Sequence, residues 1–216
     1  MPAIYIIGDS TVEDNKPPFR GWGWALPHYV REGVEVRNHA LSGCSTRGFR
    51  EQGLWDPVEN GLTAGDLLLI QFGHNDEKDD ERHTDPDTTY PENLWRYCEA
   101  ALARGAQPVL LTPVSRRFVV GGGAMLYTHG EYPRAVRKLA EEKHVPLIDL
   151  KRTAGSFISP WERKRRRSCL CAWLPENIRI FRTDMTIKPI LTHTERNRSV
   201  PWWRQVCGKF PPVYRS

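Results

Sequence analysis

Three short, mostly apolar runs in this chain are each followed by a motif of small and polar residues. The motifs are Gly8-Asp9-Ser10-Thr11, Ala40-Leu41-Ser42-Gly43 and Gly73-His74-Asn75-Asp76. Runs of this length with such endings are typical of buried strands. Open α/β sheets keep their functional groups outside the carboxyl ends of the strands. The pattern therefore predicts an open sheet with its chemistry at one edge.

The rest of the pattern alternates strands and helices. Strands are predicted at Ala3–Ile7, Val34–Arg37, Leu67–Phe72, Pro108–Leu111 and Pro146–Ile148. One helical pattern covers residues 91–104, with Gly105 placed as its stop. A second carries Val136, Leu139 and Ala140 on one face. Because this alternation implies parallel pairing, we predict a three-layer α/β/α sandwich with a parallel, flavodoxin-like sheet.

The three motifs together resemble the signature blocks of the SGNH, or GDSL-type, hydrolases. Residues 21–27, 111–117 and 132–150 are similar to the rhamnogalacturonan acetylesterase branch of that family, and the resemblance covers about residues 1–158. The resemblance implies an SGNH-hydrolase fold. It also implies a serine esterase that acts on carbohydrate and takes part in pectin degradation. The implied partner is an acetylated oligo- or polysaccharide, with no cofactor and no metal.

The resemblance also implies the site residues. Ser10 is the nucleophile, and the oxyanion hole consists of the backbone N–H groups of Ser10 and Gly43 and the side-chain amide of Asn75. Glycine suits its position because a Cβ would keep the backbone from the substrate, and an asparagine amide donates without charge. The block-three histidine, His74, is not the catalytic one in this family and is interpreted as a structural hydrogen-bonder.

The other titratable side chains of this part show no pattern of a site. A surface or core role is expected for His28, His39, His83, His129 and His144. The five cysteines have no regular spacing, so they are interpreted as reduced thiols, with Cys44 and Cys98 in the core. Arg116 and Arg117 could face an acidic polysaccharide, although exposed arginines in a loop are more often solvated.

Residues 159–216 differ in composition from the rest of the chain. They carry 13 of the 31 Lys and Arg but 4 of the 26 Asp and Glu, a net charge of +9 against −4 for residues 1–158. We therefore divide the chain into an esterase domain, 1–158, which is incomplete at its C-terminal end, and a basic tail, 159–216, expected to be poorly ordered.

The family's last block, Asp-x-x-His, which supplies the general base and its acid, is missing from this tail. His193 is the one histidine after residue 144, and the preceding aspartate, Asp184, lies outside that spacing. His193 is therefore a candidate base without an acid partner, and the chain as written is expected to be impaired.

Codon arithmetic suggests how the block was lost. If the third base of each codon is read with the first two of the next, Trp161-Glu162 forces a glycine and Met185-Thr186 forces an aspartate. The pairs across 175–190 permit a string that ends Asp-Asp-Lys-Thr-His, which is similar to the family's last block. We hypothesise that residues from about 158–161 onward are a frameshifted translation.

Two alternative functions stay open. An esterase of the same fold could act on other acyl esters, such as acetylated xylan or small aryl esters. A protein of another class could be non-catalytic and bind nucleic acid through the basic run of residues 163–167. A nucleic-acid partner is not expected, because a frameshifted segment is basic without selection for binding.

Composition and the first residues bear on location. No apolar stretch is long enough to span a membrane, and the chain opens with a strand pattern instead of a basic and apolar leader. A cytoplasmic protein with no membrane partner is expected.

Overall fold

The strands form one parallel sheet in the computed structural model, which describes residues 2–115 and 128–150. They are β1 (Ile4–Gly8), β2 (Val36–Asn38), β3 (Leu67–Gln71), β4 (Gln107–Leu111) and β5 (Leu147–Ile148). Their order is β2-β1-β3-β4-β5, and every neighbouring pair is parallel. This is the flavodoxin-like order, in which the connections change direction between β1 and β3 and open a crevice at their carboxyl ends.

The helices cover the sheet unequally. They are α1 (Thr46–Glu51), α2 (Trp55–Gly61), α3 (Thr89–Ala103) and α4 (Tyr132–Glu142), and all four contribute to one apolar cluster. Within the described residues, the cluster on the other face is closed by the 3-10 turns Trp22–Trp24 and Leu26–His28 and by Leu150. Alternate residues of β1 enter the two clusters, as period-two side chains of a central strand must.

The predicted α/β sandwich with a parallel sheet is confirmed, and each predicted strand lies within two residues of an observed one. The helix predicted over 91–104 begins at Thr89 and ends at Ala103, and Gly105 has a φ of +75°. Two helices were not predicted, α1 and α2. They have six and seven residues, which is too short for a periodic pattern to stand out.

The expectations for the cysteines fall partly within the described residues, whereas those for the tail fall outside them. Cys44 and Cys98 are buried and free, so their predicted core role is confirmed, and burial raises the pKa of Cys98 to about 12. The boundary near residue 158 and the basic tail lie outside the described residues and stay predictions. No helix within 2–115 and 128–150 is both long and apolar enough to cross a bilayer.

Candidate active site

Ser10 lies on a helical turn that begins where β1 ends. The carbonyl of Asp9 accepts hydrogen bonds from Val12 N at 3.0 Å and from Glu13 N at 3.1 Å. Asp9 and Val12 are buried, whereas Ser10 is exposed. Among the described residues, no side chain or backbone group hydrogen-bonds to the Ser10 hydroxyl. The turn therefore presents the predicted nucleophile at the surface of the crevice.

A glycine-rich segment packs directly on this turn. A Cβ on Gly21 would lie 2.5 Å from backbone atoms of Thr11 and Val12, and one on Gly23 would lie 2.4 Å from the Val12 carbonyl. Gly21 N donates to the Glu13 carbonyl at 2.7 Å and Trp22 N to the Thr11 carbonyl at 2.9 Å. Glycine is needed at 21 and 23 because the two backbones are in contact there.

A chain of buried hydrogen bonds fixes the same turn from below. Trp22 Nε1 donates to Gln71 Oε1 at 2.7 Å, and Gln71 Nε2 donates to Thr11 Oγ1 at 2.6 Å. Thr11 Oγ1 in turn donates to Asp9 Oδ1 at 2.7 Å, and Thr11 N donates to the same oxygen at 2.9 Å. Because an indole N–H can only donate, it determines the direction of every bond along this chain.

The second carboxylate oxygen of Asp9 faces His74. His74 Nδ1 lies 3.3 Å from Asp9 Oδ2, and both side chains are buried. Burial raises the pKa of the Asp9 carboxyl, but His74 and the hydrogen bonds from Thr11 outweigh burial, so this pKa is lowered. Asp9 is thus an anion held beneath the nucleophile and paired with His74. The structural role of His74 stays a prediction.

His129 continues this polar cluster, with its ring centroid 4.1 Å from that of His74. Its Nε2 lies 2.9 Å from the Val114 carbonyl and its Nδ1 lies 2.9 Å from Glu77 Oε2. Since a carbonyl can only accept, Nε2 carries the hydrogen. His129 is buried, which is one of the two roles, surface or core, expected for it.

The loop after β2 carries Gly43. Leu41 N donates to the Gly8 carbonyl at 3.1 Å, and Cys44 N donates to the Leu41 carbonyl at 3.3 Å, so residues 41–44 form a turn beside the end of β1. Gly43 has a φ of +86°, and no atom lies within 4 Å of the place a Cβ would take. Glycine suits this position because of its backbone conformation, and the space beside it is open.

The segment after β3 bonds to that loop at two points. Asn75 Nδ2 donates to the Cys44 carbonyl at 2.9 Å. Asp76 Oδ1 accepts from Thr46 N at 2.9 Å, from Thr46 Oγ1 at 2.6 Å and from Thr84 Oγ1 at 2.8 Å. An amide nitrogen has two hydrogens, so the bond to Cys44 leaves Asn75 a second one to donate. These contacts hold Asn75 against the Gly43 loop.

Asp76 is buried like Asp9, but its pKa is shifted the other way. Burial raises the pKa of Asp76 to about 6, and the hydrogen bonds from Thr46 and Thr84 offset burial only in part. The nearby charge of Asp9 raises it further. Hydroxyl and amide donors stabilise a carboxylate less than a basic side chain does, which explains the difference from Asp9.

The structure therefore brings the loops of Ser10, Gly43 and Asn75 together at one end of the sheet. Within 2–115 and 128–150, no histidine nitrogen lies within hydrogen-bonding distance of the Ser10 hydroxyl, and no three metal-binding side chains cluster. His193, Arg116 and Arg117 lie outside the described residues. Gln71 and Glu13 were not singled out in the sequence; a glutamine inside an apolar strand was the available signal for Gln71.

This fold and arrangement agree with the sequence comparison, in which the model of the GDSL-like lipase/acylhydrolase family matches residues 6–168. The chain belongs to that family.

Among its relatives, rhamnogalacturonan acetylesterase RhgT of Bacillus subtilis (strain 168) is 45% identical over 150 residues, which are 68% of this chain and 64% of RhgT. The probable rhamnogalacturonan acetylesterase YesY of the same strain is 36% identical over 72% of this chain and 73% of its own. The solved structure of Bacillus subtilis YxiM matches with a TM-score of 0.65 and 31% identity, over 72% of this chain and 45% of YxiM. The chain thus spans less than two thirds of the length of RhgT.

Proposed function

We propose that this chain derives from a serine esterase that removes acetyl groups from a pectic polysaccharide of the rhamnogalacturonan type. The observation that carries the proposal is the meeting of three loops around an exposed Ser10, with Gly43 in a left-handed conformation and Asn75 bonded beside it. RhgT and YesY, the relatives named above, carry the name of that activity, which favours a pectic over a xylan substrate.

In this proposal the Ser10 hydroxyl attacks the acetyl carbonyl. The negative charge that develops on the carbonyl oxygen is met by the N–H groups of Ser10 and Gly43 and by the second amide hydrogen of Asn75. Donors already aimed at that oxygen stabilise the transition state because they need no reorganisation as the charge forms.

The base that takes the Ser10 proton is not among the described residues. The absence of Asp-x-x-His from residues 159–216 supports the prediction that this chain has lost its last block by a frameshift, with His193 as a candidate in its place. An enzyme without one triad member keeps only about 10³–10⁴-fold acceleration over water. The cytoplasmic location likewise stays a prediction.

The test compares the chain as given with a version in which the reading frame is restored from about residue 158. Acetate release is measured from acetylated rhamnogalacturonan, acetylated xylan and an aryl acetate. We expect the restored protein to prefer the pectic substrate, to lose activity with Ser10→Ala and to keep it in chelator. Preference for xylan would favour the alternative substrate, and turnover that survives Ser10→Ala would contradict the mechanism.

The given chain and its frame-restored form also test whether the tail, residues 159–216, supplies a catalytic base. We expect the given chain to be nearly inactive. Equal kcat/KM in the two forms, lost on His193→Ala, would show that His193 acts as the base and would contradict the predicted impairment. A DNA sequence with no alternative frame across residues 158–190 would contradict the frameshift.

A further inference from the structure

Glu13 connects the turn that carries Ser10 to the loop that carries Gly43. Ser42 N donates to Glu13 Oε2 at 3.0 Å, and Ser42 Oγ donates to the same oxygen. The backbone of Glu13 is itself fixed, because its N–H donates to Asp9 at 3.1 Å and its carbonyl accepts from Gly21 at 2.7 Å. The Glu13 side chain, whose backbone is fixed in the turn, therefore bonds to Ser42, 29 positions away in the sequence.

The peptide that Glu13 bonds is the one next to the predicted oxyanion donor. Ser42 and Gly43 are both exposed, and no atom lies within 4 Å of the position of a Gly43 Cβ. Packing therefore does not hold this peptide in place. The other bonds of the loop, at Leu41 and Cys44, lie at its two ends. Among the described residues, Glu13 is the one side chain that bonds Ser42.

We infer that Glu13 is a positioning residue, which holds the N–H of Gly43 at a set distance from the N–H of Ser10. The inference rests on the proposed function, because it assumes that these two groups meet the oxyanion. Such donors act when they lie about 2.7–3.1 Å from the place the oxyanion takes. A donor on an exposed loop meets that condition only if the position of the loop is fixed. Glu13 fixes the Gly43 loop relative to the turn that carries Ser10.

Glu13 could act through its negative charge or through its hydrogen-bond acceptor oxygen. Its charge is unfavourable for the reaction, so variants that remove only the charge or only the acceptor distinguish the two roles. A carboxylate near a developing oxyanion repels it, so a purely electrostatic role would be unfavourable. The useful property of Glu13 is its acceptor oxygen. Glu13→Gln keeps a side-chain oxygen of the same reach without the charge, whereas Glu13→Ala removes the acceptor. Asp14→Ala is the matched control, since it removes a more exposed carboxylate of the same loop.

The first measurement is amide hydrogen exchange at Ser42 in the full chain, which needs no enzymatic activity. Loss of one hydrogen bond corresponds to about tenfold faster exchange, which we expect for Glu13→Ala. Glu13→Gln and Asp14→Ala should exchange like the wild type. Unchanged exchange in Glu13→Ala would overturn the inference. If Glu13→Ala does not fold, Glu13→Asp is measured instead; its side chain is one methylene shorter and withdraws the acceptor oxygen, so exchange at Ser42 should again be faster than in the wild type.

The second measurement is hydrolysis of an aryl acetate by the full chain and its frame-restored form. Removing an oxyanion donor costs about 10²–10³ in kcat, so a donor that is only loosened should cost about tenfold in Glu13→Ala, with KM unchanged. Glu13→Gln should keep most of kcat. Equal losses in Glu13→Ala and Glu13→Gln would contradict a positioning role. If the frame-restored protein is no faster than its Ser10→Ala variant, the proposed function fails, while the exchange experiment still decides whether Glu13 fastens the loop.

Discussion

The turn after β1 and the loop after β2 both depend on glycine, but for different reasons. Gly21, which packs on the turn, has an ordinary φ of −78°, and a Cβ there would lie 2.5 Å from backbone atoms of Thr11 and Val12. Gly43, within the loop, has a φ of +86° and open space beside it. The turn is held by close backbone packing as well as by buried hydrogen bonds, whereas the loop is held by hydrogen bonds alone. The position of Ser10 is therefore tied to global stability, whereas that of Gly43 can change in a folded protein.

The largest effect is expected for Gly21→Ala. The new Cβ lies 2.5 Å from the backbone of Thr11 and Val12, so the turn and the segment that carries Gly21 must separate. Overpacking typically costs about 1–3 kcal/mol in the free energy of unfolding and occasionally more, and a backbone contact this short places Gly21→Ala at the upper end of that range. Urea denaturation followed by tryptophan fluorescence measures the loss. If Gly21→Ala is as stable as the wild type, the turn accommodates a Cβ at little cost. The proposed difference between a tightly packed turn and an open loop would then be wrong.

The next effect concerns Asp76, whose bonds to Thr46 hold the far end of the loop. The pKa of this carboxyl is about 6 in the folded protein, above its value in the unfolded chain. Between about pH 4 and 6 the folded state therefore binds the extra proton, and stability falls as pH rises, by about 3 kcal/mol in total.

Asp76→Asn should remove that fall, which is measured as the free energy of unfolding at a series of pH values. The lowered pKa of Asp9 acts with the opposite sign: its contribution is present above the ordinary aspartate pKa and is lost as pH falls further. The two carboxyls thus act in different pH windows. A pH profile of Asp76→Asn parallel to that of the wild type would contradict the assignment.

The smallest effect on stability is expected for Gly43→Ala. The Cβ meets nothing, so the cost is that of a left-handed conformation, about 1–2 kcal/mol. Gly65 is the matched control, because it has a φ of +90°, no atom within 4 Å and a place at the opposite end of the sheet, before β3. Gly65→Ala should lose similar stability. In the frame-restored protein, esterase activity should fall with Gly43→Ala alone; equal loss in both variants would argue against an oxyanion role.

Much of the fold was predictable because it rests on local patterns. Mostly apolar runs of three to six residues identified the strands, and Gly105 identified the end of α3. The short helices α1 and α2 were missed, although Ser45 caps α1 by accepting from Gly48 N at 3.1 Å, and a serine in that place is a usable signal.

The sequence predicted the motifs of the candidate site, but not the residues that hydrogen-bond to those motifs and hold them in place. Ser10, Gly43 and Asn75 were each found from the residues around them. Gln71 stands out as a glutamine in an apolar strand, but nothing near it identifies Thr11, 60 positions away, as its partner. His129 likewise has no nearby signal for Glu77, 52 positions away. Such partners come together only when the sheet forms, so no spacing along the chain reveals them.

The sequence by itself determined that strands end in three polar motifs, that the chain has the pattern of a GDSL-type hydrolase to about residue 158, and that the last block of that pattern is missing. The tertiary structure decided which side chains hold those motifs in place. It also decided that two buried aspartates at neighbouring strand ends have opposite pKa shifts. The reason is physical: local patterns select strands and turns, whereas burial and hydrogen-bond partners depend on which distant segments the folded sheet brings into contact.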